Sequence, residues 1–233
     1  MKKKIIIYSM MLLLIVTMNS NVFASERVID SDKPMVALTF DDGPSKDYTP
    51  IILDTLKENN ANATFFVLGS EVKKNADILI RMVEEGNQIG NHSYNHKDLT
   101  SISDYELWQQ IVGTDEFIED ITGYAPTIMR PPYGFVNDEM RKRIYKPIIL
   151  WSLDTLDWQS RNTEKICSNI LDNVKDGDIV LMHDIYGTTA DAVKIVVPEL
   201  VKRGYQLVTI DELNQYRNDT TLLSGQTYSN MYK

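Results

Sequence analysis

The chain has 233 residues, a formal net charge of −9 and a sequence pI near 4.9. Its 43% hydrophobic and 24% charged residues exclude a disordered polymer and supply a full core. The acidic balance argues against nucleic acid as a partner, and the lone Cys167 excludes a disulfide framework or a cysteine-rich zinc module.

Residues 1–24 read as a secretory signal peptide. Lys2-Lys3-Lys4 is followed by an apolar stretch from Ile5 to Met18 and by Val22-Phe23-Ala24. The apolar run falls short of the ~20 residues of a spanning helix, so cleavage after Ala24 is expected rather than a lasting membrane anchor. Export with one cysteine fits a bacterium, and the expectation is a secreted or cell-wall-associated monomer of a Gram-positive organism. Residues 25–32 form a polar arm, 33–216 one catalytic domain, and 217–233 a polar tail expected to be loose.

Strand and helix patterns then alternate. Met35–Phe40 is a buried strand, Tyr48–Asn59 a helix, Ala63–Leu68 a strand, and Asn75–Glu85 a helix stopped by Gly86. Gln88–Asn91 is a short strand. Ser103–Thr122 is the longest helix, with Ser103 and Glu106 at capping-box spacing and Gly123 just past its end. Strands follow at Thr127–Met129, Ile148–Ser152, Ile179–Met182 and Gln206–Thr209. Helices are expected at Asn137–Ile144, Thr163–Val174, Asp191–Arg203 and Ile210–Tyr216. About seven β-α units imply an α/β fold with a parallel sheet covered by helices, and their number in so short a chain favours a small barrel over an open sheet. Ligands bind such sheets at the carboxyl ends of the strands.

Those ends are rich in polar groups. The first carries Thr39-Phe40-Asp41-Asp42-Gly43-Pro44, and adjacent carboxylates there need positive compensation. The third carries Asn91-His92-Ser93-Tyr94-Asn95-His96. Histidines four apart on a helical turn share one face, and with a carboxylate from another strand end they suit zinc or a similar divalent ion. Arg130-Pro131-Pro132-Tyr133-Gly134 makes a rigid loop that leaves the Tyr133 N–H free to be aimed. Asp154-Thr155-Leu156-Asp157-Trp158 and Leu181-Met182-His183-Asp184 end two more strands. All three histidines of the chain sit just past strands, which points to a metal-dependent active site.

These five segments, in this order, resemble the motifs of the NodB-homology polysaccharide deacetylases, carbohydrate esterase family 4. The resemblance implies a distorted (β/α) barrel. It implies Asp41 as general base, with Asp42, His92 and His96 holding one divalent metal, zinc or alternatively cobalt or nickel. It implies that Arg130 holds Asp41, that the Tyr133 N–H steadies the oxyanion, and that His183, oriented by Asp157, is the general acid. Trp158 and Leu181, with Pro131 in the neighbouring loop, would contact the substrate.

Asp42, where the muramic-acid-specific branch has Asn, directs the expectation to N-acetylglucosamine units, in peptidoglycan for a secreted bacterial protein. A chitin-oligosaccharide deacetylase and an acetylxylan esterase stay open as alternatives. A binding protein without catalysis would need neither Asp41 nor His183. A glycosidase built on Asp154 and Asp157 would leave the histidines without a task.

Overall fold

The computed structural model describes residues 27–232. The proposed leader lies outside them, and among the described residues no helix is long and apolar enough to cross a membrane.

The sheet strands are β1 (Met35–Asp41), β2 (Thr64–Val67), β3 (Gln88–Asn91), β4 (Ile148–Ile149), β5 (Leu153–Asp154), β6 (Ile179–His183), β7 (Gln206–Leu207) and β8 (Thr227–Tyr228). The helices are α1 (Thr49–Glu58), α2 (Gly69–Val72), α3 (Ala76–Glu84), α4 (Asp104–Thr122), α5 (Asp138–Arg143), α6 (Asp157–Ser160), α7 (Thr163–Asn173), α8 (Gly187–Lys202) and α9 (Ile210–Arg217). The parallel order is β3-β2-β1-β6-β5, with β7 beside the start of β1. Beyond β3, single bridges through Met129 lead to β4, which pairs with β8. Asn230, just past β8, bridges back to Asp178 before β6 and closes the ring there. The result is the distorted barrel expected from the motifs.

Period-two alternation decides which side chains enter it. Val36, Leu38 and Phe40 of β1 face outward into a core shared with α1, α3, α7 and α8. Met35 and Ala37 face the interior with Phe66, Ile149 and Ile179. Continuing the parity past Thr39 puts Asp41 inside, and the same count along β6 takes Ile179 and Leu181 to His183. Register pairs Asp41 with His183 across the two strands, so the barrel's axis delivers both to its mouth. A one-residue slip would turn both outward.

The long helix matches its expected form. Ser103 accepts from the Glu106 N–H, Glu106 reaches back, and Gly123 at φ 79° ends it. Several expectations are corrected. Thr127–Met129 is no strand but a segment touching its neighbours through Met129, and of Ile148–Ser152 only Ile148–Ile149 is strand (β4), with β5 starting just past it. Helix α8 begins at Gly187 rather than Asp191, since its first turn packs Thr189 and Ala190 inward. The tail is not loose: β8 pairs with β4, and Met231 is wholly buried in the interior core. The arm is docked too, with Arg27 donating to the Leu207 carbonyl and to Glu212.

Candidate active site

The mouth of the barrel holds a cavity of about 540 Å³ lined by Asp41, Asp42, His92, His96, Tyr133, Trp151, Trp158, Leu181, His183 and Tyr186, among others. A second cavity of about 550 Å³ adjoins it and shares Asp42 and His96.

Arg130 is the keystone beneath. It is fully buried, yet most of its donors are taken up: Nη1 donates to Asp41 Oδ1 at 2.7 Å and Thr39 Oγ1 at 2.8 Å, Nε to the Ile149 carbonyl, and Nη2 to that of Leu150. Phe66 lies under its guanidinium at 4.2 Å. A buried pair with four of its five N–H donors used holds its carboxylate in one orientation. The Arg130 carbonyl, in turn, takes the His92 Nδ1 proton at 2.8 Å. That fixes the tautomer and leaves Nε2 with its lone pair directed into the cavity.

Asp42, His92 and His96 converge, their ligand atoms all within 4.8 Å of one another. Asp42 Oδ1 is 3.5 Å from His92 Nε2 and 3.4 Å from His96 Nε2. Ligands about 2.1 Å from a tetrahedral ion stand roughly 3.4 Å apart, so the spacing suits zinc or a similar cation. Asp42 Oδ1 is also buried with no hydrogen-bond partner, as a carboxylate reserved for a cation would be. The donor set therefore fits a divalent metal. Burial lowers the pKa of His96, which favours the form that can ligate. Burial opposes the charged form of His92 as well, but Asp41 and Asp42 outweigh it and raise its pKa.

The route to this convergence differs from the expected helical turn. Residues 92–98 are irregular, and Ser93 (φ 70°) and His96 (φ 62°) adopt left-handed backbone that folds His96 back over Asp42. Asn91 holds the bend by accepting from the Ser93 N–H.

Across the cavity Asp157 is fully buried and binds His183 twice, through Nδ1 at 2.8 Å and the backbone N–H at 2.7 Å. Thr189 Oγ1 and the Trp158 N–H also donate to it. Burial works against a charged His183, but the Asp157 hydrogen bond and charge, with Asp41 and Asp42 nearby, carry its pKa up to about 9. Next in sequence, Asp184 is buried against Gly43, where a Cβ would fall 2.2 Å from its carboxylate oxygens. Thr49 Oγ1 donates to it at 2.5 Å, its other oxygen has no partner, and burial pushes its pKa up to about 7.

The Tyr133 backbone is left-handed (φ 62°), and no acceptor among the described residues takes its N–H. Its ring meets His96 edge-on at 4.4 Å. Trp158 and Leu181 line the cavity; Pro131 does not, and is buried with its carbonyl accepting from the Gly134 N–H. The sequence reading missed Trp151, Tyr186 and Phe135. Trp151 closes on Gly134, where a Cβ would sit 2.7 Å from the indole. Phe135 is exposed and extends the Tyr133 ring by a contact at 5.3 Å. An exposed aromatic directly after the Tyr133-Gly134 loop was the available signal.

Residues 29–146 match the family model described as polysaccharide deacetylase, and the chain belongs to that family. The match stops short of Asp157 and His183, which the sheet brings to the same cavity. Among curated proteins, the chain is similar to the peptidoglycan-N-acetylglucosamine deacetylase PgdA of Listeria monocytogenes, at 51% identity over 76% of this chain and 38% of that protein. It is similar also to the peptidoglycan-N-acetylmuramic acid deacetylase PdaC of Bacillus subtilis, at 45% identity over 82% of this chain and 41% of that protein. The chain thus spans about two fifths of the length of these relatives. The solved structure of PdaC aligns with a TM-score of 0.80, covering 82% of this chain and 95% of that one at 45% identity. A family 4 acetyl xylan esterase from Clostridium thermocellum, solved with a cobalt ion, gives a TM-score of 0.79 at 32% identity over 84% of this chain and 98% of that one.

Proposed function

We propose that this chain is a secreted, metal-dependent deacetylase that hydrolyses the N-acetyl group of N-acetylglucosamine units in peptidoglycan. The observation that carries the reading is the neighbouring pair, Asp41 on β1 and His183 on β6, at the mouth of a cavity that Asp42, His92 and His96 also line. Amide hydrolysis needs a base for water, a stabilised oxyanion and an acid for the departing nitrogen. A divalent ion held by Asp42, His92 and His96 would acidify a water and polarise the acetamide carbonyl.

Asp41 takes the water proton on Oδ2, since Arg130 occupies Oδ1. The free Tyr133 N–H donates to the developing oxyanion, a contribution of about 3–4 kcal/mol for one such donor. His183, charged below about pH 9, gives its Nε2 proton to the leaving amine while Asp157 holds Nδ1. Trp158 and Leu181 wall the cavity against the acetyl methyl. The names of PgdA and PdaC support a peptidoglycan substrate; that of PgdA, with Asp42, supports glucosamine within it, while that of PdaC names muramic acid.

The test uses purified residues 25–233, with acetate release measured from peptidoglycan and from N-acetylglucosamine oligomers, with added zinc and with a chelator. Zinc-dependent release is expected, falling about 10²–10⁴-fold in Asp41→Asn. Release that persists in Asp41→Asn would overturn the assignment of the base. Release from acetylated xylan alone would overturn the substrate.

A further inference from the structure

Carboxylates are prominent among the side chains of the cavity. Asp41, Asp42 and Asp154 line it, with Asp157 behind His183. Its buried cation, Arg130, is already committed to Asp41 and to backbone carbonyls. Yet a peptidoglycan strand carries a carboxyl-bearing lactyl ether or stem peptide beside every glucosamine. The cations that the deacetylase reading places in the site are committed to the acetamide and to Asp41, so a neighbouring carboxylate needs one outside that set, and Arg161 stands beside the cavity wall on Tyr186.

Arg161 follows α6, the short helix that supplies Asp157 and Trp158. Its backbone N–H donates to the Asp157 carbonyl and its Nε to the Trp158 carbonyl at 2.9 Å. Its guanidinium lies flat on the Tyr186 ring, 3.2 Å from the centroid, and Tyr186 lines the cavity. Neither terminal nitrogen has an acceptor among the described residues, and the side chain is exposed. Stacking and the Nε bond fix the plane while both terminal nitrogens stay open, an arrangement suited to bidentate carboxylate recognition. The backbone at Arg161 is left-handed (φ 45°), a conformation that glycine or asparagine would hold at lower cost. Lysines in the adjoining cavity are placed differently: Lys74 is paired with Glu71 at 2.9 Å, and Lys46 precedes Asp47.

We infer that Arg161, held on Tyr186, is a specificity residue that binds a carboxylate on the sugar next to the one being deacetylated, so that the site favours acidic glycan over neutral chitin-like or xylan chains. This rests on the deacetylase reading above and deepens it.

The experiment compares three tetrasaccharides: neutral tetra-N-acetylchitotetraose, a stem-free glucosamine–muramic acid tetrasaccharide, and its stem-bearing form. For wild type, Arg161→Gln and Arg161→Lys, kcat/KM for acetate release and the Kd by calorimetry are measured at low and high salt. Arg161→Gln is expected to weaken the carboxylated glycans about tenfold, mainly in KM and Kd, and to leave chitotetraose unchanged. Arg161→Lys should recover part of the loss, and high salt should shrink it. Loss on the stem-free glycan assigns the lactyl carboxylate as the ligand, and loss confined to the stem-bearing form assigns the peptide. Equal loss on chitotetraose, or none on any glycan, overturns the inference. The Kd comparison decides it even if wild type releases no acetate, an outcome that would sink the deacetylase reading alone.

Discussion

The two ends of the barrel are built on opposite principles. At the mouth, Asp42, Ser93, His96, Tyr133, Leu156 and Arg161 account for six of the eight non-glycine residues with positive φ among the described residues. Asp42 Oδ1 and Asp184 Oδ1 are buried there without partners. At the base, Arg27 Nε and Glu85 Oε2 also lack partners, but non-glycine residues with positive φ are fewer there and the carboxylates of Asp176 and Asp178 are well bonded. Asp178 accepts from Ser152, from the Lys175 N–H and from Tyr232, while Asp176 accepts from the Met35 N–H and from Arg217. Backbone strain collects where a ligand would relieve it, and the far end supplies the stability that tolerates it.

Three substitutions probe that contrast. The largest effect is expected at Asp42→Asn. Metal affinity should fall by more than the roughly 10–100-fold typical of outer-shell changes, and activity with it. The metal-free protein should lose some stability as well, because burial opposes the Asp42 carboxylate but the hydrogen bond from His92 and the charges of His92, His96 and His183 outweigh it and hold its pKa below the ordinary value. Competition with a zinc chelator and a thermal melt with chelator present read the two halves. A metal-free Tm that does not fall would mean that the histidine charges do not favour the Asp42 carboxylate.

Met231→Ala should cost stability alone. Emptying a fully buried site costs about 2–5 kcal/mol by denaturant unfolding, with kcat unchanged at 25 °C. A kcat loss at full folding would mean that the base and the mouth are not separable.

The smallest effect concerns pH. His183 has a folded pKa of about 9, above its ordinary 6.5. The stability it contributes is complete below 6.5 and is lost as pH rises through 9, and the proton it donates is lost with it. Activity should therefore decline above about pH 9. Asp157→Asn should move that decline toward neutrality in the kcat/KM profile, since the hydrogen bond and the largest of the charges that raise the pKa come from Asp157. An unmoved profile would assign the limb to another group.

Much of the site was legible in the sequence because each motif is local: a strand end delivers its polar residues wherever the strand goes. Asp41, Asp42, His92, His96, Arg130, Asp157 and His183 all meet at one mouth, as strand-end logic requires. What was illegible depends on distant packing. Tyr186 and Arg161 meet only after α6 and α8 are placed, and no period in either segment announces the stack. The 92–96 bend was misread as a helical turn because i, i+4 spacing fits both, while left-handed backbone at Ser93 and His96 leaves no mark in composition. The tail misled by its polarity: Thr227–Tyr228 is too short to signal a strand, and one buried methionine anchors the segment.

The closing seam has a consequence for how the polypeptide is made. β1 finds β2 within a few dozen residues, but its other neighbour arrives late: Thr39 bonds to the Val180 carbonyl across 141 positions. The bridge from Asn230 to Asp178 comes later still. A chain emerging amino end first is therefore held as a half-made sheet with open edges through most of its synthesis. Its final compaction is a single late event, paced by contacts of long sequence separation rather than by its helices.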